Sequence, residues 1–370
     1  MTSDCKLWPA GGNMAICDSC GVLQAIVDSE WRSEADAIYQ NYDTRILGEG
    51  IEQAVVFAGS QNSSPRSVAL LDHVQSQIEI PETGRLLDVG CGNGSFLRAF
   101  GMVRPRWSLF GADRDDSFNS AVRSIDGVEQ LYTCPIREIP EKFDVIVMVH
   151  SLEHIPEPVE FLTNLADRLT EGGHVIVQLP YFLHNPVYLF VADHCSHFTQ
   201  SSAVDVLRRA GFVAVDATTR HVSKELTIIA RKSEAEQPRP ADHGAPQTVQ
   251  VVQRLLEWSR SVSNSARDLS QRRPFGLWGS SVTATWLFAE IDGNMDFFVD
   301  DSPTRQGQTF LDRPVLAPTQ VPAGSRVYLG LAPIVADQIW LRMKDADIDL
   351  HKPEMIDLGP LTTSDSDIIA

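Results

Sequence analysis

"RLLDVGCGNGSF", residues Arg85 to Phe96, sets two leucines ahead of an aspartate and then places glycine at 90, 92 and 94. An apolar run that ends in glycines reads as a strand closing on a turn, and "GSFLRAFGMV" continues with helical spacing. A glycine turn between strand and helix lets the backbone come close to a ligand, and the helix start offers unpaired N–H groups. A dinucleotide-binding turn wants Gly-x-Gly-x-x-Gly or Ala. Counted from Gly90, the last position is Ser95, so that pattern does not match.

Outward from this turn the same alternation repeats. "WSLFGAD" and "FDVIVMVH" read as strands, "PVEFLTNLADRL" as a helix with apolar residues at i, i+3, i+4 and i+7, and "GGHVIVQLP" as a further strand. Alternation of this kind predicts a parallel sheet with helices on both faces, an α/β fold of Rossmann-like type. The stretch 232–248, rich in Pro, Ala and charge, reads as a linker. Beyond it a long helix and three short apolar strands, "PFGLWGSS", "MDFFVDDSP" and "SRVYLGLAP", predict a second, smaller α/β domain over 249–352. Residues 1–45 form an N-terminal cysteine-containing segment, 46–231 the larger domain, and 353–370 an acidic, frayed tail.

The chain has 370 residues and is 43% hydrophobic, enough for more than one core. Its formal net charge of −18 argues against nucleic acid and anionic lipid as partners, since both need basic surface. No run of eighteen apolar residues occurs, and the N-terminus lacks the basic start and apolar stretch of a secretory signal. Six scattered cysteines suggest no disulfide framework, so the expected location is a reducing cytoplasm.

The spacing Asp88-x-Gly90-x-Gly92-x-Gly94 resembles motif I of the class I S-adenosylmethionine (SAM) methyltransferases. The resemblance implies a turn facing the amino acid end of SAM, with Asp88 suited to a cationic α-amino group. It also implies a second acid at the end of the next strand for the ribose hydroxyls. Asp113, in "LFGADRDD", follows Gly90 at a suitable distance along the chain. Asp88 as a turn cap and Asp113 as a helix cap, in competition with Asp115 and Asp116, are the plain structural alternatives. Where the family often has an aspartate near the adenine, this chain has Pro135, which leaves apolar contacts around Ile136. His150 is expected at the tip of the fourth strand, near the sulfonium. Glu153 and His154, in "LEHI", are read as structural.

The whole chain resembles the three-part NDP-sugar C-methyltransferase family: a zinc-binding N-terminus, a SAM domain and a C-terminal Rossmann-like domain. "AICDSCGVLQ", the segment from Leu179 to Phe212, and "GLWGSS" with "FFVDDSPTRQG" carry the resemblance. It implies a zinc site, but only Cys5, Cys17 and Cys20 are available where the family has two Cys-x-x-Cys pairs, and tetrahedral zinc wants four ligands. The family's Tyr-His-Glu-His stretch is here Val191, Ala192, Asp193 and His194. The last histidine survives while the tyrosine and the first histidine do not, so the apparatus for C-methylation is incomplete. Tyr42 resembles a tyrosine that the family places over SAM. Gly276, Gly279, Asp300 and Asp301 sit where a Rossmann-like unit would contact a nucleotide, and Arg305 is a candidate for a diphosphate.

These resemblances imply a SAM-dependent methyltransferase acting at carbon or oxygen of a sugar, nucleotide-linked as in that family. The expected partner is therefore a small molecule. His194 beside Asp193 is the first candidate base, with His197 and His150 following, because an imidazole accepts protons near neutral pH. The other readings are an O-methyltransferase of another small metabolite, and a SAM-binding protein without transfer activity.

Overall fold

The computed structural model describes residues 1–9, 12–42, 54–56, 63–114, 116–222, 224–233 and 245–358. The larger unit is built on a seven-stranded sheet. Its strand order is Phe212–Thr218, Glu225–Lys232, Leu169–Pro180, Phe143–Val149, Arg85–Val89, Ser108–Ala112 and Val128–Tyr132. The last five are mutually parallel, whereas Glu225–Lys232 runs antiparallel to both of its neighbours. The sheet is therefore mixed rather than wholly parallel. The chain returns through a short connection after Thr218, and a connection that short joins antiparallel strands only.

The strand Arg85–Val89 lies at the centre because nearly all of it is buried, with Leu86 and Leu87 fully so. Each such leucine contributes roughly 2 kcal/mol through removal of apolar surface from water. From this strand the chain first builds outward through Ser108–Ala112 and Val128–Tyr132, then crosses back to Phe143–Val149 on the other side. The reversal opens a crevice at the carboxyl ends of the central strands, where open α/β sheets place their ligands. The helix Ser95–Val103 packs Phe96, Leu97 and Phe100 beneath the sheet. At its start Asn93 Oδ1 accepts from the Ser95 amide (3.1 Å) and hydroxyl (2.7 Å).

The second unit has its own six-stranded sheet, ordered Thr309–Phe310, Arg313–Leu316, Phe297–Val299, Phe275–Trp278, Arg326–Leu329 and Asp349–His351. Five strands are parallel and only the two-residue edge strand is antiparallel. It too reverses direction beside its first strand, so the expected Rossmann-like pattern appears twice. Gly276 admits no side chain, because a Cβ there would lie 2.3 Å from the Phe297 ring.

Three stretches differ from the sequence reading. Lys232 ends a strand and the helix Ala245–Ser270 begins inside the expected linker, while 234–244 lie outside the described residues. The start of the expected tail is anchored: Trp258 Nε1 donates to the Glu354 carbonyl (2.7 Å), and Ile356 and Leu358 pack on the core. Residues 359–370 lie outside the described residues, as does Asp115. The cysteine-bearing hairpin, Met14–Ile16 with Leu23–Ala25, gains a third strand from Ser196–His197, which ties it to the segment carrying the candidate histidines. Among the described residues no helix is long and apolar enough to cross a membrane.

Candidate active site

A cavity of about 1020 Å³ opens at the crevice of the larger sheet and extends to the second unit. At one end stands the glycine turn. Gly90, Gly92 and Gly94 all have positive φ (78°, 48° and 77°), a conformation that L side chains adopt at a cost. Gly90 is further restricted, because a Cβ there would lie 2.7 Å from Ser151 Cβ. At Gly92 a Cβ would meet nothing within 4 Å and would project into open space. The turn is held by the Gly90 amide donating to the Ala112 carbonyl (2.7 Å) and by Ser151 Oγ donating to the Val89 carbonyl (2.9 Å).

Asp88 is only 2% exposed, yet it lines the cavity from near the end of its buried strand. Asp113 follows directly after the strand Ser108–Ala112, lines the same cavity, and accepts a 2.8 Å hydrogen bond from the Gly92 amide. The acid thus braces the glycine turn as well as facing the ligand space. Ile136 is buried at the start of a 3-10 turn and borders the cavity beside Cys134 and Pro135. Tyr42 borders it from the N-terminal segment, its hydroxyl accepting from Ser3 Oγ (3.1 Å); burial and the nearby Asp193 carboxylate push its phenol up. A buried acid, a second acid at the next strand end and a turn of positive-φ glycines suit the α-amino group and ribose of SAM.

At the middle of the cavity His150 sits at the strand tip with φ of 52°. Its Nε2 lies 3.2 Å from Glu225 Oε1 and its Nδ1 3.6 Å from Glu153 Oε1. Burial, the largest influence, disfavours its charged form, but the Glu225 and Glu153 carboxylates together outweigh it and the pKa is raised. Glu225 is fully buried and pairs with Arg66 Nε at 2.9 Å. Burial alone would raise its pKa, but Arg66 and His150 hold it at about 2.

The segment 193–197 distributes its residues differently from the sequence reading. His194 is 5% exposed and lines the cavity, its pKa pushed well below 6.5 by burial and by the neighbouring His154, so the ring is neutral. His197 does not line the cavity. It is buried on the strand paired with Leu23, near the Phe182 ring, and burial lowers it to about 3. Asp193 does not act on His194. Its carboxylate accepts from the Ser3 amide (2.8 Å) and the Ser3 hydroxyl, anchoring the N-terminal segment, and lies 3.5 Å from His154 Nδ1. The reading of Asp193–His194 as a dyad and of His197 as a base facing the acceptor is corrected accordingly: Asp193 sits in a turn where Ser3 takes its carboxylate, and His197 lies on the short strand paired with Leu23.

The three-cysteine zinc site is not assembled. All six cysteines are free thiols. Cys17 and Cys20 are neighbours on the hairpin, where the Ser19 hydroxyl holds the Cys17 thiol down at about 7. Cys5 instead packs into the core of the second unit with Trp286 and Leu287, and burial pushes its thiol up to about 12. Two thiols do not fit a four-ligand site.

Arg305 is buried and donates to the Ser280 carbonyl (2.8 Å) and hydroxyl (3.1 Å), so it supports the second unit's own turn. Asp300 accepts from the Ser280 hydroxyl at 2.5 Å, and Asp301 pairs with Arg342 at 2.6 Å. Gly279 turns with φ of 101° shortly before Ser281, which starts the helix Val282–Glu290 with no side-chain cap and borders the shared cavity. Arg66, Tyr188, Lys224 and Glu225 were missed by sequence reasoning. The available signal was "KEL", two charges opening a run that is otherwise apolar, since charges are buried only when paired.

Residues 65–217 match the family model described as a methyltransferase domain. A ubiquinone biosynthesis O-methyltransferase of Alkalilimnicola ehrlichii is 31% identical over 115 residues, 29% of this chain and 45% of that protein. One of the same description from Coxiella burnetii is 29% identical over 110 residues, 28% of this chain and 46% of that protein. This chain thus spans less than half the length of these curated relatives. A solved SAM-dependent methyltransferase of Clostridium acetobutylicum superposes at a TM-score of 0.38 with 13% identity, over 45% of this chain and 90% of that one. On the family match, the strand order and the glycine turn, residues 65–217 are a class I SAM-dependent methyltransferase domain.

Proposed function

We propose that the protein transfers a methyl group from SAM to a sugar, nucleotide-linked, at oxygen or carbon. The observation that carries this reading is the continuity of one cavity from the glycine turn to the helix start of the second Rossmann-like unit. At about 1020 Å³ the cavity has room for an acceptor beside the cofactor. The sugar assignment rests on the likeness of the three-part chain to sugar-modifying enzymes and on this two-unit cavity.

Asp88 would take the α-amino group of SAM, Asp113 the ribose hydroxyls, and Ile136 with Pro135 the adenine. Bound SAM supplies a methyl group activated by its sulfonium charge. The chain's own residues align the acceptor, exclude water and take up the proton that the acceptor loses. His194 is neutral and faces the cavity, which suits it to accept that proton, whereas His150 carries charge more readily beside Glu225. Tyr188, at the cavity wall near Glu225, completes a polar surface toward the second unit.

The test is incubation with SAM and a panel of nucleotide sugars, read by mass spectrometry for the gain of one methyl group. The expected outcome is one methylated panel member, lost in His194→Ala. SAM binding with no methylated sugar, or equal turnover of simple phenols, would move the acceptor to another class of small metabolite.

A further inference from the structure

Among the described residues, one group of three side chains brings metal-ligating atoms within 4.8 Å of one another: Glu153, His154 and His194. None of the cysteines takes part. We propose that these three residues bind a divalent first-row transition cation, of the zinc or iron(II) class, inside the cavity. The inference rests on the cavity being the acceptor site, because the cation's open positions would face the acceptor.

Glu153 supplies the first reason. The residue is 1% exposed, and among the described residues neither carboxylate oxygen has a donor within hydrogen-bond length. His150 Nδ1 at 3.6 Å and His154 Nε2 at 3.9 Å are its nearest cationic candidates, both beyond hydrogen-bond length. A buried carboxylate without donors is costly, and a coordinated cation is one of the few partners that removes the cost. His194 is likewise 5% exposed, and its buried Nδ1 has no hydrogen-bond partner among the described residues.

His154 supplies the second. Its Nδ1 lies 2.9 Å from the Asp193 carbonyl, a pure acceptor, and 3.0 Å from the Tyr39 hydroxyl. Donation to that carbonyl places the proton on Nδ1 and leaves the Nε2 lone pair toward Glu153. Metal-bound histidines are oriented in this way by a backbone carbonyl or carboxylate behind them. Asp193 Oδ2, 3.5 Å from the same nitrogen, strengthens the backing. The Glu153 backbone is fixed as well, because its carbonyl accepts from the Cys195 amide (2.9 Å) and thiol (3.3 Å).

Two imidazoles and one carboxylate leave positions open for exogenous ligands, as in catalytic zinc and non-haem iron sites. All three residues border the cavity, as do Val149 and Ser151 next to the glycine turn. An acceptor hydroxyl or carbonyl oxygen would complete the coordination, and the cation would make a hydroxyl there more acidic. His194 would then act as a ligand rather than as the base in the cation-loaded protein, and the proton lost by the cation-bound hydroxyl would pass to solvent.

The test uses the full chain stripped with a chelator and titrated with Co²⁺, followed by Zn²⁺ in competition with a chromophoric chelator. The expected result is one cation per chain, with visible Co²⁺ bands of nitrogen and oxygen ligation and no thiolate charge-transfer band. Glu153→Gln and His154→Gln should each weaken binding by roughly 100-fold or more, and a Cys17→Ser/Cys20→Ser variant should leave it unchanged. No cation bound, a thiolate spectrum, or binding that survives both Glu153→Gln and His154→Gln would overturn the proposal. The Co²⁺ spectrum of the unaltered chain decides even if a variant fails to fold. SAM calorimetry on the stripped protein separates the two readings: if SAM binds but the chain takes up no cation, only the metal proposal fails, whereas absence of SAM binding removes the proposed function.

Discussion

Arg66, which lines the cavity, meets Glu225 at 2.9 Å, and the glutamate is entirely buried behind it. Arg66 begins a helix at the edge of the methyltransferase domain, while Glu225 opens an interior strand, so the pair joins elements far apart in sequence. Removing one member of a buried pair leaves the other charge uncompensated. Glu225→Gln should therefore lower stability by about 3–5 kcal/mol in denaturant unfolding. A loss below about 1 kcal/mol would show that the pair is solvated.

The same carboxylate sets an acid limit. Its folded-state pKa is about 2 against an ordinary 4.5, so its stabilisation is present above about 4.5 and lost as pH falls toward 2. His197 acts earlier. Its folded pKa is lowered to about 3, so from about pH 6.5 down to 3 only the unfolded chain takes up its proton. Stability should fall by roughly 1.4 kcal/mol per pH unit for that proton, and His197→Gln should flatten this slope. A pH-independent stability from 6.5 to 4 in the unaltered chain would contradict the burial of both His194 and His197.

Gly90 and Gly92 should not respond alike. Gly90→Ala sets a methyl group against Ser151 Cβ at a positive φ, so steric overlap adds to backbone strain. Gly92→Ala faces open space and carries the backbone strain alone. That strain costs roughly 1–2 kcal/mol, and overlap in a packed site adds roughly 1–3 kcal/mol more. Gly90→Ala should therefore show the lower Tm of the two. Gly92→Ala should nevertheless impair SAM binding, because the added methyl occupies the cavity. Equal thermal stability of the two variants, with equal SAM affinity, would place the ligand elsewhere.

Much of this arrangement was legible in the sequence because it is local. Asp88 and the glycines are a few residues apart on one strand and its turn, and Asp113 ends the next strand. The reversal of Glu225–Lys232 was not legible, since its apolar run reads the same in either direction. The roles within 193–197 were misread for a related reason. Asp193 finds Ser3, and His197 pairs its backbone with Leu23, through contacts that span most of the chain. Cys5 likewise finds the second unit's core rather than Cys17 and Cys20. Short motifs do not encode such long-range partners.

The proposed methyl transfer depends above all on the crevice beside Asp88 receiving SAM, and calorimetry with the full chain measures this directly. One SAM per chain is expected, with no competition from NAD. Asp88→Asn should bind SAM at least about tenfold more weakly, the loss expected from one hydrogen bond to a charged group. Binding of NAD without SAM, or SAM affinity unchanged in Asp88→Asn, would contradict the assignment.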